Sequence, residues 1–245
     1  MRARTVIKGG AAVALLAAGY SALTYYRYGR VSGIGPVNPL LDPFMPRFDV
    51  REHHEAKVLA PADLTWASVR ELDLHRSPLI RGIFQARQLF MGGRTGPERE
   101  PAVPFLDEVL ALGWRMLAED PGQGMVLGAA TQPWVADVVF RGLPAEEFTA
   151  FDEPGWVKIA WTVQVTPLGQ DASLFRTETR ALATDPEARA RFRRYWTVVR
   201  PGILLVRREM LRLVKREAEA AARVSGDRRT TAPRLERDHP VPAAR

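Results

Sequence analysis

The chain has 245 residues, 46% of them hydrophobic and 26% charged, which is globular composition rather than disorder. It contains no cysteine, which excludes disulfides and thiolate chemistry while saying little about compartment. The net charge of +7 is uneven: Lys and Arg against Asp and Glu give +5 over residues 1–47, −7 over 48–185, +7 over 186–224 and +2 over 225–245. An acidic body bracketed by basic segments is not the pattern of a nucleic-acid-binding domain, so no nucleic-acid partner is expected. The bland reading of the basic stretch is a solvated helix face; the functional one is attraction to an anionic membrane surface.

Arg2, Arg4 and Lys8 precede an uncharged run from Gly9 to Tyr26, with Arg27 and Arg30 after it. As a helix those residues span about 27 Å, close to a bilayer core of roughly 30 Å, and Tyr20, Tyr25 and Tyr26 stand where an interfacial aromatic belt would lie. Residues 1–30 therefore predict a single-pass N-terminal membrane anchor; the alternative is a cleaved signal peptide and a secreted or periplasmic protein. Residues 31–47, with Gly33, Gly35, Pro36, Pro39, Pro43 and Pro46, have linker composition and set a domain boundary near Arg47.

Phe48 to Leu59 alternates loosely as a first strand. His53 and His54 are neighbours, so a strand sends them to opposite faces, and no metal site is expected. Pro61 and Asp63 open a short helix, residues 78–91 read as a second amphipathic segment, and 92–101 as a surface loop lacking a phosphate-binding signature. Phe105 to Leu112 predicts another short helix. Two strands, 113–119 and 123–130, flank the Asp120-Pro121-Gly122 turn; 133–140 reads as a further strand, and 143–155 as a connection with one helical turn.

The clearest strands come last. In 156–168, Val157, Ile159, Trp161, Val163 and Val165 share one face. After a turn at Gly169-Gln170-Asp171, residues 172–184 put Phe175, Thr177, Thr179 and Ala181 on one side and Arg176, Glu178 and Arg180 on the other. The pair makes an antiparallel hairpin. A long helix follows from about Asp185 to Val224, with Thr184 as its expected cap and Pro186 in its first turn. Phe192, Trp196, Val199, Ile203, Met210, Val214 and Ala218 form its apolar stripe, at three- or four-residue steps with one step of seven. Arg189, Arg191, Arg193, Arg194, Arg207, Arg208, Arg212, Lys215 and Arg216 fall on its other faces. Pro201-Gly202 is expected to kink or break it. Residues 225–245 read as a disordered tail.

The opening "EAKVLAPADLTWASVRELD" (55–73), the hairpin "GWVKIAWTVQVTPLGQDASLFRTETRALATD" (155–185) and "ARFRRYWTVVRPGILLVRREMLRLVKREAE" (190–219) resemble the START-like (SRPBCC) superfamily, which includes polyketide cyclase-like and lipid-transfer proteins. The last two blocks look like a bacterial branch of unknown function. The resemblance covers about 48–224 and implies an α+β helix-grip fold: a curved antiparallel sheet wrapped on a long C-terminal helix, with an apolar cavity between them. It carries no catalytic set, because the superfamily places different chemistry in the same cavity.

If the helix covers the sheet, Trp161, Phe175, Thr177 and Thr179 face Trp196, Val199 and Ile203. An ordinary core has the same composition; threonine hydroxyls among large aromatics also suit a pocket with a few polar anchors. Arg200, beside the expected kink, is either a surface residue or an anchor for a ligand carboxylate or phosphate. Glu178 and Arg180 share a strand face and read as a solvent-facing pair, with an acid–base pair as the functional alternative. The reading is a membrane-tethered protein that binds or transports a lipid or other hydrophobic small molecule, with no cofactor. Two alternatives remain: a cyclase- or hydrolase-type enzyme drawing on Glu178, Arg180 and Arg200 with catalytic residues unknown, and an interaction module whose Arg-rich helix grips an acidic partner.

Overall fold

The computed structural model describes residues 18–28, 38–82 and 104–231. Strict alternation makes its centre: β5 (Val157–Pro167) and β6 (Ser173–Ala183) pair antiparallel, Val165 opposite Phe175 and Trp161 opposite Thr179. Gly169, at φ +107°, supplies the left-handed turn residue between them. On one side β1 (Val50–Val58) joins β6; on the other, β3 (Gly124–Thr131) joins β5 and then β2 (Arg115–Asp120). The sheet order is thus β1-β6-β5-β3-β2. The stretch 133–140, expected as a full strand, contributes only β4 (Phe140–Arg141), which extends the β2 edge at Ala130 and Thr131.

All eight residues of β3 are buried, because the sheet is covered on both faces. One face receives α1 (Ala62–Arg70) and α4 (Pro186–Thr231), with α2 (Phe105–Ala111) at its edge. The other receives α3 (Ala145–Ala150) and residues 38–48. Small residues allow that second layer to come close: a Cβ on Gly128 would lie 2.5 Å from Leu117 and 3.1 Å from the Phe148 ring. Residues 38–47 are not a free linker. Leu41 and Met45 are buried with Phe148 and Val126, because turn hydrogen bonds to the Asn38 and Leu41 carbonyls wind the segment so that its apolar side chains meet the sheet.

The long helix differs from expectation in three ways. Its N-terminus is capped by Asp185, whose Oδ1 accepts from the backbone of Glu187 and Ala188, while Thr184 is engaged with the backbone of Trp156. It runs unbroken through Pro201. That proline is exposed, while Arg200 and Ile203 beside it are held to the sheet. It also continues to Thr231, past the expected start of the tail; residues 232–245 lie outside the described residues.

Among the described residues no helix is long and apolar enough to cross a membrane. Residues 1–17, most of the expected anchor, lie outside the described residues, as do 29–37 and 83–103. Residues 18–27 are helical and pack on the first half of α4. Arg193 donates to the Tyr25 carbonyl at 2.8 Å, and the rings of Tyr28 and Phe192 meet edge-on at 5.9 Å.

Candidate ligand site between the sheet and the long helix

Alternate residues of β1, β5 and β6 point toward α4, and mid-way along that face the apolar pattern is interrupted. Glu52 pairs with Thr179, and His54 with Thr177, across the β1–β6 ladder. Trp161 and Val163 flank the same threonines on β5. Two arginines descend from α4, seven residues and so about two turns apart. Arg200 donates from Nε to Glu52 Oε1 at 2.6 Å and from Nη1 to the Tyr20 hydroxyl at 2.9 Å. Arg207 donates from Nη1 to Thr177 Oγ1 at 2.7 Å and from Nη2 to Thr179 Oγ1. Its guanidinium carbon lies 5.7 Å from the centre of the Trp161 ring, within cation–π range.

The two cations are compensated differently. Arg200 has a carboxylate partner: burial alone would favour its neutral form, but the hydrogen bond and charge of Glu52 outweigh that and raise its pKa. Arg207 has hydroxyl partners and, among the described residues, no carboxylate within ion-pair distance. Burial pulls its pKa down to about 10, with the charge of Glu52 opposing only in part. Beside them, the His54 pKa is lowered, first by burial and next by the charge of Arg207, so the imidazole is neutral at pH 7. Its Nε2 is buried and, among the described residues, has no hydrogen-bond partner; the nearest carboxylate oxygen, on Glu52, is 4.0 Å away.

Next to this polar cluster stands an aromatic wall. Phe105 and Trp114 meet Trp161 at ring distances of 5.8 and 6.2 Å, and Phe140 meets Trp114 at 5.1 Å. Trp161 is buried, whereas Phe105, Trp114 and Phe140 are half-buried at the β2 edge. The arrangement offers an apolar surface bordered by the Arg207 guanidinium, suited to holding an amphipathic molecule. A separate open depression of about 340 Å³, lined by Leu59, Glu219, Ala222 and Arg223, lies toward the far end of α4.

Of the residues singled out in the sequence, Trp161, Thr177, Thr179 and Arg200 come together here. Phe175 is fully buried in the same core beside Met210 and Val214. Trp196, Val199 and Ile203 belong to a different cluster, with Val50, Val157 and Phe192 at the other end of the sheet. Glu52, His54, Arg207 and Tyr20 were not anticipated. Arg207 is on the sheet-facing side of the helix, not on an outer face.

Glu178 and Arg180 do not point to solvent. Each is only 2% exposed, on the face away from α4, with residues 38–48 closing over them. Arg51 donates twice to Glu178, both at 2.9 Å, and Arg180 Nε once, at 2.8 Å. Arg180 Nη1 also reaches the Met45 carbonyl at 2.7 Å and Asp42 at 2.6 Å, with its guanidinium over the Phe48 ring. Burial would raise the pKa of Glu178; the hydrogen bonds from Arg51 and Arg180 outweigh that and lower it. This network fastens residues 38–48 to the sheet. It also divides the set Glu178, Arg180 and Arg200, since the sheet itself lies between the first two and the third. His53 sits on the Glu178 face and His54 on the Arg207 face, as alternation requires.

A six-stranded antiparallel sheet with a long C-terminal helix laid across one face decides the architecture. The fold is of the helix-grip type. No protein-family model matches the chain, and no curated protein sequence matches it. Among solved structures, the domain is similar to a norcoclaurine synthase point mutant of Thalictrum flavum, at 15% identity and a TM-score of 0.31, over 67% of this chain and 93% of that one. It is similar to the di-domain ARO/CYC BexL of the BE-7585A biosynthetic pathway, at 18% and 0.32, over 69% and 46% of the two chains. A START superfamily protein from Mycobacterium smegmatis gives 13% and 0.25, over 71% and 98%. Likenesses this distant transfer neither ligand nor activity to the domain described here.

Proposed function

We propose that the helix-grip domain binds a lipid or other hydrophobic small molecule between its sheet and α4, and that the N-terminal segment preceding residue 18 tethers it to a bilayer to or from which the ligand is carried. The observation that carries the reading is the half-buried aromatic wall of Phe105, Trp114 and Phe140 around Trp161, bordered by Arg207. A closed core has no need of aromatic rings left half-exposed beside a half-buried cation; a binding surface does. Residues 18–28, the second half of the uncharged run, are engaged with α4, so the tether rests on residues 1–17, basic at Arg2, Arg4 and Lys8 and uncharged from Gly9 onward. The enzyme reading has less support, because Glu178 and Arg180 are consumed in a structural network on the other face.

Titration of the full chain with the neutral apolar fluorophore N-phenyl-1-naphthylamine tests the binding reading. One saturable, blue-shifted site is expected, weakened at least tenfold by Trp114→Glu with the far-UV circular dichroism unchanged. Non-saturable fluorescence, or saturable binding indifferent to that substitution, would contradict it. For the tether, the full chain is expected to float with lipid vesicles and a chain lacking residues 1–17 is not; flotation of both would contradict the assigned anchor.

A further inference from the structure

Arg207 is the group that the reading above leaves unexplained. Its two recorded partners, the hydroxyls of Thr177 and Thr179, orient the guanidinium but supply no negative charge. Glu52 is the carboxylate of this face, and it is already committed to Arg200 at 2.6 Å. His54 adds no compensation, since burial and Arg207 together keep it neutral. Among the described residues, then, Glu52 and Arg200 cancel and one positive charge is left half-buried under the helix with only hydroxyl partners. An uncompensated cation in a poorly solvated position is costly unless a counter-charge joins it. The aromatic wall beside it is apolar and half-open.

We infer that the ligand is an anionic amphiphile carrying a single carboxylate, whose head pairs with the Arg207 guanidinium and whose apolar chain lies along Trp161, Phe105 and Trp114. This rests on the proposed ligand-binding function and names the class of molecule bound. One unpaired positive charge matches a monoanion, whereas a phosphate monoester carries about −1.5 to −2 at pH 7 and would leave an excess of negative charge in the site. The head belongs to Arg207 rather than Arg200, because a carboxylate arriving at Arg200 would have to displace Glu52 and leave that side chain buried without a partner.

Displacement of bound N-phenyl-1-naphthylamine from the full chain by four amphiphiles sharing one C18 chain tests this. The competitors are oleate, oleyl alcohol, oleylamine and oleoyl lysophosphatidic acid. Oleate is expected to compete at least tenfold more tightly than the alcohol, and the amine more weakly than either. Arg207→Gln should bring oleate and alcohol within about twofold of each other while alcohol binding persists. Arg207→Lys should keep most of the preference for oleate. Arg194→Gln removes one charge from an exposed position and should leave the preference intact.

Equal competition by oleate and alcohol in the unmodified chain overturns the anionic-head assignment while leaving the apolar-ligand reading standing. Tighter competition by the phosphate monoester overturns the carboxylate. Failure of all four to compete for a probe that binds saturably also overturns the inference. Failure of the probe itself to bind saturably overturns the ligand-binding reading and the inference with it.

Discussion

Arg207 lies over the Trp161 ring across the gap between α4 and β5, guanidinium carbon to ring centre at 5.7 Å. Thr177 and Thr179 hold the guanidinium there through its two terminal nitrogens. The helix therefore presses a cation, not a hydrocarbon, onto the middle of the sheet, and the neighbouring histidine feels it.

His54 reports that charge directly. Its pKa is lowered by burial and then by Arg207, so its imidazole resonances are expected to titrate below the ordinary value of 6.5. Because the unfolded chain takes up this proton more readily than the folded one, the associated stability is present above 6.5 and is lost as pH falls through the folded-state value. Arg207→Met removes the repulsion and should move the titration upward, short of 6.5 because burial remains. NMR titration of the histidines in both proteins decides it; an unmoved His54 would mean that the two groups are not in electrical contact.

Glu178 is expected to be worth more to stability than its place on the sheet suggests. Glu178→Gln leaves Arg51 and Arg180 without their shared counter-charge, a loss of about 3–5 kcal/mol for one partner of a buried ion pair. The carboxylate's pKa is lowered from 4.5, so its contribution is complete above that value and disappears as pH falls through the lower folded-state value. Urea unfolding at several pH values should show a shallower acid limb in Glu178→Gln than in the unmodified chain. Equal limbs would assign acid sensitivity elsewhere.

Thr65 and Ser173 share a buried hydrogen bond of 2.8 Å that ties α1 to the start of β6. Thr65→Val strands the serine hydroxyl and should cost about 1–3 kcal/mol. The double change Thr65→Val with Ser173→Ala should cost less than the two single changes summed, because no orphaned group remains. Strict additivity in the double-mutant cycle would show that the hydroxyls do not interact.

Gly113 and Gly122 both have positive φ, at +100° and +78°, yet only one is crowded. A Cβ on Gly113 would fall 2.3 Å from the Phe140 carbonyl oxygen, whereas Gly122 meets nothing within 4 Å. Gly122→Ala should therefore cost the left-handed penalty of about 1–2 kcal/mol, and Gly113→Ala clearly more, since the β2–β4 edge must also move. Similar urea midpoints for the two variants would contradict that ranking.

The β5–β6 hairpin and the long helix were legible in the sequence because their periods are clean: alternate Val, Ile and Trp on β5, and an apolar stripe from Phe192 to Ala218. The site was legible in part. Trp161, Thr177 and Thr179 follow from alternation alone, but Arg207 looked like one more arginine on a basic helix. Its signal was the seven-residue step between Ile203 and Met210; the skipped position, four after one and three before the other, is Arg207. Glu52 and His54 carried a similar signal, as polar residues on the strand face that also holds Val50 and Val58. The burial of Glu178 and Arg180 was hidden because it depends on residues 38–48, whose prolines gave linker composition while Leu41 and Met45 supplied a second apolar layer. Local pattern does not report which distant segment will cover a face.

Native mass spectrometry of the full chain, purified from its own cells and then exposed to a lipid extract of the same cells, tests the central claim most directly. The account predicts a discrete apolar adduct, one per chain, that is lost on Trp161→Asp in a protein still folded by circular dichroism. The mass of the chain alone, before and after the extract, would contradict it.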